Sequence, residues 1–525
     1  MAGRLKKISL IVAMVIVVTV FFYLLSIREK RTVTITYTND LQGFIAPHEY
    51  TGPDVKGVHL MGGSAYLGAV IKRERRLAII RNRGFVFVDS GNFFAGPAEG
   101  YLLKGSSIIE IMNELGYDAM AIGPKDLAFG EENLRDSAKM AKFPFLSANL
   151  VKEYTGEIVD YATPYIVKEY KGIKIGIIGI TTPMVFLENI KGLKILDPIL
   201  AARKYTSLLN NIGVNFVVVL SNLGLKEDIV LAQKVDGINI IIGGNDRDGR
   251  RIYLWPFYVV PKNKTIIVES YSQGTAFYKI DVTFDKQRKV LKYKPTWREL
   301  WVRDIRPDFK IQTIVQKYVE AVKEKKKEVI GYVKMPFRRS KDKESALGDW
   351  IADILREKTK ADIALVGGLQ ADLKQGEITI GDVYDILPIM DRLEIVGFNL
   401  AIIEISGAKI MNILEHNIGW ALKNSKYGIL QVSGLKMAYD LKRKKGDKVI
   451  NVTVNGQELD MSKIYKVAVN GYLASGGDGY YDIIMAEKRY DTGLMDFDVV
   501  VEYIKAHSPV IAPSLEGRII KVAEE

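Results

Sequence analysis

The 525-residue chain is too long for one domain of ordinary size, and its 48% hydrophobic and 26% charged residues exclude a disordered protein. It contains no cysteine, which excludes disulfides, thiolate metal sites and cysteine nucleophiles, and its four histidines limit transition-metal chemistry. The formal charge of +12 is spread along the chain rather than concentrated in a basic stripe between aromatic residues, so we expect no nucleic-acid binding.

The first feature along the chain is the apolar run of residues 8–27. At about 1.5 Å per residue, a helix over this run spans the roughly 30 Å hydrocarbon core of a bilayer. Basic residues flank it on both sides, and no small-residue cleavage site follows it. We therefore expect residues 1–31 to be an uncleaved, single-pass anchor in the cell membrane, with the bulk of the protein on the extracytoplasmic side.

The segment 32–285 alternates short Ile/Val-rich strands with helical stretches. Most of the strands are apolar nearly throughout, which is typical of strands buried on both faces. The pattern therefore predicts a layered α/β domain. The predicted strands are Val33–Tyr37, Phe85–Val88, Lys174–Ile180, Phe216–Leu220 and Ile238–Ile242.

Polar, glycine-containing loops follow four of these strands, at residues 38–43, 89–92, 221–224 and 243–248. Layered α/β folds place their sites at the carboxyl ends of strands. Gly, Asn and Asp are also ordinary turn residues, which would explain any one loop by itself. Four such loops in equivalent places favour a shared site.

A second unit follows a connecting helix that is predicted over Pro307–Ile330. This helix presents Ile311, Val315 and Tyr318 on one face. Beyond it, a hairpin strand Ile450–Val454 runs into an Asn-Gly turn. The predicted organisation is an anchor at 1–31, a first α/β domain at 32–285, a linker at 286–330 and a second α/β domain at 331–525.

In its order of loops the chain resembles the 5'-nucleotidase family, which joins a metallophosphatase domain to a family-specific carboxyl-terminal domain. Residues 38–43 resemble the opening Thr-Asn-Asp-x-His-Gly, and residues 89–92 resemble Asp-x-Gly-Asp. Residues 116–119 match Gly-Tyr-Asp-Ala, and residues 123–126 stand where the family has Gly-Asn-His-Glu. The resemblance implies a calcineurin-like, four-layer metallophosphatase sandwich for the first domain.

The second half of the chain keeps the family's landmarks in order. Residues 367–370 stand at the Gly-Gly-x-Arg position, residues 431–434 match Gln-x-Ser-Gly, and residues 473–479 match Leu-Ala-x-Gly-Gly-Asp-Gly. The resemblance therefore implies an α/β 5'-nucleotidase carboxyl-terminal domain after the linker.

The residues that bind the metals in the family are almost all replaced. Family members hold two divalent ions that activate water for attack on phosphorus. At the family's positions this chain has Asp40 retained, Gln42 for the first His, Asn92 for the bridging Asp, Pro124 and Lys125 for Asn and His, Asn222 for the next His, and Asn245 and Arg247 for the last pair.

These replacements reverse the charge of the site. Asn92 cannot bridge two cations as an anion, and Lys125 and Arg247 bring positive charge to where the cations would lie. We therefore expect no metal cofactor and no phosphoester hydrolysis. We also expect Lys125 or Arg247 to form an ion pair with Asp40 in place of the missing metal charge.

Two alternatives stay open. A single hard cation would suit an oxygen-rich ligand set and would make the protein a divergent metal-dependent phosphoester hydrolase. A purely structural interaction protein would have no small-molecule pocket. The candidate oxygen ligands are Asp40, Asp89, Asn222, Asn245, Asp246 and Asp248.

The nucleoside site of the family's second domain is altered as well. Of the two aromatic residues that stack on the base in the family, the first is Ile429 here and the second is retained as Tyr472. The phosphate-binding arginine is Gln370, and the acidic residue Asp478 is kept. Tyr427 is close enough in sequence to replace the missing aromatic.

These changes leave a nucleoside-like small molecule, another flat ligand or a protein as the expected partner. The segment 388–391 reads Pro-Ile-Met-Asp where the family has Pro-Phe-x-Asn. His416, which lies outside the motifs, is expected to be a packing or surface residue.

Overall fold

The structure is a computed structural model that describes residues 14, 30–50, 59–94, 96–183, 192–245, 258–387, 399–474, 476–511 and 514–522. Apart from Met14, the apolar run of residues 8–27 lies outside these ranges, as do Asp246, Arg247, Asp248 and residues 388–391. No helix in the described ranges is both long enough and apolar enough to cross a bilayer.

Two six-stranded sheets form the centre of the first domain. In both, the central strands are parallel. Antiparallel pairs lie at one edge of the first sheet and at both edges of the second. One sheet has the order Val290–Glu299, Ala276–Phe284, Arg31–Thr38, Gly84–Asp89, Ala119–Ala121 and Phe145–Leu146. The other has the order Tyr258–Val259, Ile266–Val268, Ile240–Ile242, Phe216–Ser221, Ile173–Ile180 and Tyr165–Tyr170.

The two sheets pack face to face, and helices cover both outer faces. Val33, Ile35, Ile175 and Val218 belong to the apolar layer between the sheets. Two further apolar layers separate the sheets from their helices, which gives the four-layer arrangement expected from the sequence. The helices of this domain are Ser64–Ile80, Ala98–Tyr101, Ser106–Leu115, Gly130–Met140, Pro198–Asn211 and Leu225–Lys234.

The five strands predicted for this domain are confirmed, with small shifts at their ends, but the predicted end of the domain is placed differently. Strand Val290–Glu299, which the sequence analysis assigned to the linker, pairs with Ala276–Phe284 in the first sheet. Its alternating exposed and half-buried residues are those of an edge strand, so it lacks the apolar run that marks the central strands.

The connecting helix spans Phe309–Lys326 and begins at Asp308, whose carboxylate accepts the backbone N–H of Ile311 at 3.0 Å. The predicted helix is therefore four residues too long at its end, because Val329–Val333 forms a strand that pairs with Gly376–Thr379. The lysine-rich end of this helix does not mark the boundary in the sequence, because lysine is common both in a last helical turn and in an exposed strand.

The second domain contains a five-stranded and a four-stranded sheet with helices packed between and beside them. The predicted hairpin is confirmed, and its turn residues Asn455 and Gly456 both have positive φ. The five-stranded sheet has the order Gln431–Ser433, Ile363–Val366, Ile464–Val469, Asn399–Ser406 and Lys488–Met495. The four-stranded sheet has the order Gln457–Glu458, Val449–Val454, Leu435–Tyr439 and Ile519–Lys521. The helices are Ala346–Thr359, Ile380–Ile386, Gly407–His416, Leu422–Asn424, Gly471–Ala474, Tyr481–Ile484 and Asp496–His507, with a π-helical turn at Asn417–Ala421.

Candidate functional site: a degenerate metal centre

The polar loops of the first domain converge at the carboxyl ends of the two sheets, as predicted. The backbone N–H of Asp40 donates to the Gly91 carbonyl at 3.0 Å, which ties the first loop to the second. A Cβ on Gly244 would lie 3.2 Å from Asp40 Oδ2 and 3.3 Å from Asn222 Nδ2, so the loops from the second sheet reach the same point. We call this group the polar cluster. Its described members are Asp40, Gln42, Asp89, Asn92, Lys125, Asn222 and Asn245.

The Asp40 carboxylate is held by neutral N–H donors. Asn92 Nδ2 donates to Oδ1 at 2.7 Å, and Asn39 Nδ2 and the Asn245 backbone N–H each donate to Oδ2 at 2.8 Å. No ion pair within the described residues joins the Asp40 carboxylate to Lys125, so the expected pair is not formed there. The carboxylate instead accepts hydrogen bonds from two side-chain amides and one backbone N–H group. Arg247, the other expected partner, lies outside the described residues.

The orientation of the Asn92 amide follows from its second partner. Its Oδ1 accepts the backbone N–H of Lys125 at 2.9 Å, so its NH₂ group must face Asp40. An N–H group therefore points at Asp40 from the position where the resemblance places a bridging carboxylate. Lys125 itself is buried beside this amide.

Asp126 joins the loop at residues 89–92 to its own segment, residues 123–126. One of its oxygens accepts the backbone N–H groups of Phe93 and Phe94, and the other accepts those of Asn92 and Gly123, at 2.7 to 3.3 Å. Burial raises the pKa of this carboxyl group to about 7, while the four N–H donors oppose the shift. Sequence reasoning did not single out Asp126, although its place three residues after Gly123 matches the acidic residue of the family motif.

Asp89 is buried beneath the cluster rather than presented to a ligand. Its oxygens accept the Thr38 hydroxyl at 2.5 Å and the Gly91 backbone N–H at 2.7 Å. Burial, and to a smaller extent Asp126 and Asp40, raise the pKa of Asp89 well above its usual range. Through the Thr38 hydroxyl, Asp89 also joins the second loop to the first.

Several residues of the cluster adopt the left-handed conformation that glycine prefers. Asp40 and Gln42 have φ of 50°, Asn92 has 62° and Asn245 has 64°. Such conformations cost on the order of 1 kcal/mol each and persist where surrounding contacts impose them. The loops thus hold a strained geometry through hydrogen bonds between their own residues.

The described residues do not fit a pair of divalent ions. Both Asp40 oxygens already accept N–H donors, and Asn92 directs an NH₂ group at one of them. No three His, Asp or Glu side chains within the described ranges converge in a way that could hold a metal ion. Asn222 Oδ1 is the exception among the ligand positions, because this buried oxygen has no hydrogen-bond partner among the described residues.

In the second domain, Tyr472 and Tyr427 do contact each other. Their ring centroids lie 5.5 Å apart at an interplanar angle of 80°, and Tyr472 is only 4% exposed. A Cβ on Gly477 would lie 2.5 Å from the Tyr472 ring, so this glycine covers one ring face. The edge-on contact leaves no parallel slot between the two rings for a flat base. Ile429, at the other aromatic position of the family, is buried in the core.

Asp478 and His416 make polar contacts around Tyr472 and the loop that follows it. Burial and the Asp478 carboxylate raise the pKa of the Tyr472 hydroxyl, and the Ser425 hydroxyl donates to Asp478 Oδ2 at 2.5 Å. His416 Nε2 lies 2.8 Å from the Asp478 carbonyl oxygen, and its ring stacks on Trp420 at 5.2 Å. His416 is thus a packing residue, as expected, but one that touches the candidate ligand loop.

Gln370 stands at the family's phosphate-binding arginine position. Its side chain is exposed, and its backbone N–H donates to the Ile386 carbonyl at 2.8 Å. Tyr472 and Ile429 belong to one apolar cluster, and the Asp478 carboxylate lies beside Tyr472.

The fold and the polar cluster together define a two-domain α/β protein whose loops meet at the carboxyl ends of parallel strands. The family model for the 5'-nucleotidase carboxyl-terminal domain matches residues 326–486. The crystal structure of a 5'-nucleotidase precursor from Thermus thermophilus is 30% identical, with a TM-score of 0.58, and the match covers 94% of this chain and 100% of that one. The chain belongs to the 5'-nucleotidase family.

Two further comparisons extend over nearly the whole chain. The snake venom 5'-nucleotidase of Naja atra is 28% identical over 541 residues, which covers 93% of this chain and 98% of that protein. The structure of Haemophilus influenzae NAD nucleotidase is 21% identical with a TM-score of 0.71 and supports the fold. Both domains are therefore shared with relatives of similar length.

Proposed function

We propose that this protein is a membrane-anchored, extracytoplasmic member of the 5'-nucleotidase family that binds a ligand or partner without hydrolysing phosphoesters. The observation that carries the proposal is the hydrogen bond from Asn92 Nδ2 to Asp40 Oδ1. It places a neutral donor where two-metal hydrolysis needs a second anion, because two divalent ions require carboxylates to balance their charge.

The test is a metal analysis combined with a hydrolysis assay. We expect the purified protein to retain no stoichiometric Mn²⁺, Zn²⁺ or Mg²⁺ and to show no metal-dependent turnover of nucleotides or simple phosphoesters. Two bound ions per chain with turnover that depends on them would contradict the proposal.

A matched variant restores the residues of the family motif. It carries Gln42→His, Asn92→Asp, Pro124→Asn, Lys125→His, Asn222→His and Asn245→His. We expect this variant to bind Mn²⁺ more tightly than the unmodified chain, since anionic and imidazole ligands replace amides and a cation. Equal metal binding by both proteins would show that these substitutions are not what removes the metal.

One observation favours the second candidate function, a divergent hydrolase with a single cation. In the part of the chain that the structure describes, the buried Asn222 Oδ1 has no hydrogen-bond partner and could coordinate a hard cation. In that case Mg²⁺ or Ca²⁺ would raise both the melting temperature and the phosphatase activity of the unmodified protein. The cation should then raise neither the melting temperature nor the activity of Asn222→Ala.

The ligand part of the proposal rests on the buried Tyr472 and its contact with Asp478. Thermal-shift measurements with nucleosides and nucleotides test it, since a ligand that binds only the folded state raises the melting temperature. We expect Tyr472→Ala to abolish a nucleoside shift that the exposed control Tyr481→Ala retains. If no nucleoside shifts the unmodified protein, a protein partner becomes the favoured ligand class.

The anchoring part rests on the apolar run of residues 8–27 and its basic flanks. We expect the chain to stay in the membrane fraction after carbonate extraction and to be cleaved by protease added outside intact cells. Release by carbonate would contradict anchoring, and protection from external protease would contradict the orientation.

A further inference from the structure

One end of the first domain carries a concentration of basic residues. Three turns meet there beside the start of strand Arg31–Thr38. We call the surface formed by residues 30–31, 79–83, 171–172 and 285–289 the basal face. Its exposed or half-buried basic residues include Lys30, Arg31, Arg81, Lys171, Arg288 and Lys289.

Contacts between the turns show that they form one surface. Arg31 pairs with Phe284 across the first sheet, and Arg31 Nη1 donates to the Lys171 carbonyl at 2.6 Å. The Tyr170 hydroxyl donates to the Asn82 carbonyl, which joins the second and third segments. The four segments therefore lie side by side, although they are far apart in sequence.

Two guanidinium groups converge on this face. A Cβ on Gly172 would lie 3.4 Å from Arg31 Nη1 and 3.4 Å from Arg288 Nη2. Neither arginine forms an ion pair within the described part of the chain. The two positively charged guanidinium groups repel each other, and an anion such as a phosphate group between them would relieve the repulsion.

The basal face also exposes two adjacent apolar side chains. Ile79 and Ile80 end the helix Ser64–Ile80 and are 74% and 72% exposed. Arg81 follows directly, so apolar and basic groups occur side by side, the combination found on surfaces that rest at a lipid headgroup boundary.

The chain reaches the basal face directly from the apolar run. Ile27 ends that run, and only residues 28–30 separate it from Arg31. Even fully extended, this stretch covers about 14 Å. A chain anchored through residues 8–27 therefore keeps the basal face close to the membrane surface.

We propose that the basal face rests on the phosphate groups of an anionic phospholipid surface and thereby orients the first domain. The proposal rests on the membrane anchor of the proposed function. Strand Arg31–Thr38 runs from the basal face toward the polar cluster, and its eight residues span about 25 Å. The polar cluster is thus turned away from the lipid and toward solvent or a partner.

The absence of cysteine from the chain allows a clean test. Full-length Ile80→Cys, labelled with an environment-sensitive fluorophore, is reconstituted into vesicles of phosphatidylcholine, with or without phosphatidylglycerol, that carry a nitroxide quencher at headgroup depth. The control is Tyr481→Cys in the second domain, whose native side chain is also 72% exposed.

We expect quenching of the Ile80→Cys probe to be roughly twofold or more above the control in the phosphatidylglycerol vesicles. Arg81→Glu with Arg288→Glu, in the Ile80→Cys background, should reduce quenching to the control level. Equal quenching of both probes, or quenching that ignores the charge reversal and the anionic lipid, would overturn the proposal.

Flotation of the vesicles separates this proposal from the one on which it rests. Protein that floats with the vesicles but shows no selective quenching retains the anchor and refutes the basal contact. Protein that does not float refutes both.

Discussion

At the scale of single residues, the polar cluster surrounds one carboxylate with hydrogen-bond donors. Three N–H groups donate to Asp40, and Asn92 supplies one of them at 2.7 Å. Asn92 can do so only as an amide, since a carboxylate there would face Asp40 with like charge. The position of the amide therefore decides whether the buried site is stable without metal ions.

Asn92→Asp tests this balance. We expect it to lower the free energy of unfolding by about 2–4 kcal/mol at neutral pH, because it buries two facing carboxylates and loses a hydrogen bond. The loss should shrink at pH 5, where the two groups can share a proton. Denaturant unfolding at both pH values measures it.

The control is Asn82→Asp, because Asn82 has a similar φ of 54° but is exposed. Its effect should stay within about 0.5 kcal/mol. If Asn92→Asp were equally harmless, the Asp40–Asn92 hydrogen bond would not be what keeps the cluster stable.

Asp228 is a second buried carboxyl group close to the cluster. Its Oδ1 accepts the Ser221 hydroxyl, and its Oδ2 has no hydrogen-bond partner within the described ranges. Burial raises the pKa of Asp228 from 3.8 to about 7. Between these pH values the unfolded chain loses the proton while the folded chain keeps it. Stability should therefore fall as the pH rises from about 4 to about 7 and remain low above that.

Asp228→Asn removes this pH dependence, because the amide is neutral at every pH. The quantity compared is the melting temperature of the variant minus that of the unmodified protein. We expect this difference to be several degrees more positive at pH 8 than at pH 5. The exposed Asp236→Asn should show no such change. A difference that is the same at both pH values would mean that Asp228 is ionised in the folded protein.

At the scale of elements, short strands depend on side chains that hold them in place. The carboxyl-terminal strand Ile519–Lys521 has only three residues. Arg518 places two N–H groups on the Asp353 carboxylate at 2.8 and 2.9 Å, and Glu344 accepts the backbone N–H groups of Glu516 and Arg518. This network, centred on the buried Arg518 and Glu344, adds to the few sheet hydrogen bonds of the last strand.

Arg518→Lys tests the network. Lysine keeps the charge but cannot form the paired hydrogen bonds, so we expect a loss of about 2 kcal/mol in the free energy of unfolding. The control is Arg443→Lys, in an exposed pair with Asp447 at 2.9 Å, where the change should be within about 0.5 kcal/mol. Equal effects at the two positions would show that burial does not matter here.

At the scale of the whole molecule, Tyr101 joins the two domains. It belongs to the first domain, yet it packs in the apolar cluster of the second, with its ring 5.5 Å from Phe497 and 5.6 Å from Phe129. It is 4% exposed, so the contact excludes water. An aromatic side chain buried across a domain boundary couples the stability of the two domains.

Tyr101→Ala should uncouple them. We expect a loss of about 3–5 kcal/mol, typical of a buried aromatic truncated to alanine, and two separate transitions in calorimetry where the unmodified protein shows one. Tyr154→Ala, at an 89% exposed tyrosine, should leave the calorimetric profile unchanged. A single transition in Tyr101→Ala would mean that other contacts couple the domains.

The sequence alone determined the central strands, the loops at their carboxyl ends and the family, because buried parallel strands leave long apolar runs and the motifs keep their order. The edge strand of the first sheet and the end of the connecting helix were predicted less well. Strand Val290–Glu299 and the end of the helix at Lys326 depend on partners distant in the chain, and local pattern does not contain that information.

The substitutions at the metal-binding positions were also evident from the sequence, but their consequence was not. Only the tertiary structure decided that Asp40 is met by Asn92, Asn39 and the Asn245 backbone rather than by Lys125. It alone placed Gly477 against Tyr472, Tyr101 in the second domain, and Arg31 beside Arg288. The physical reason is that hydrogen bonds and close packing act over a few ångströms, between groups that only the folded chain brings together.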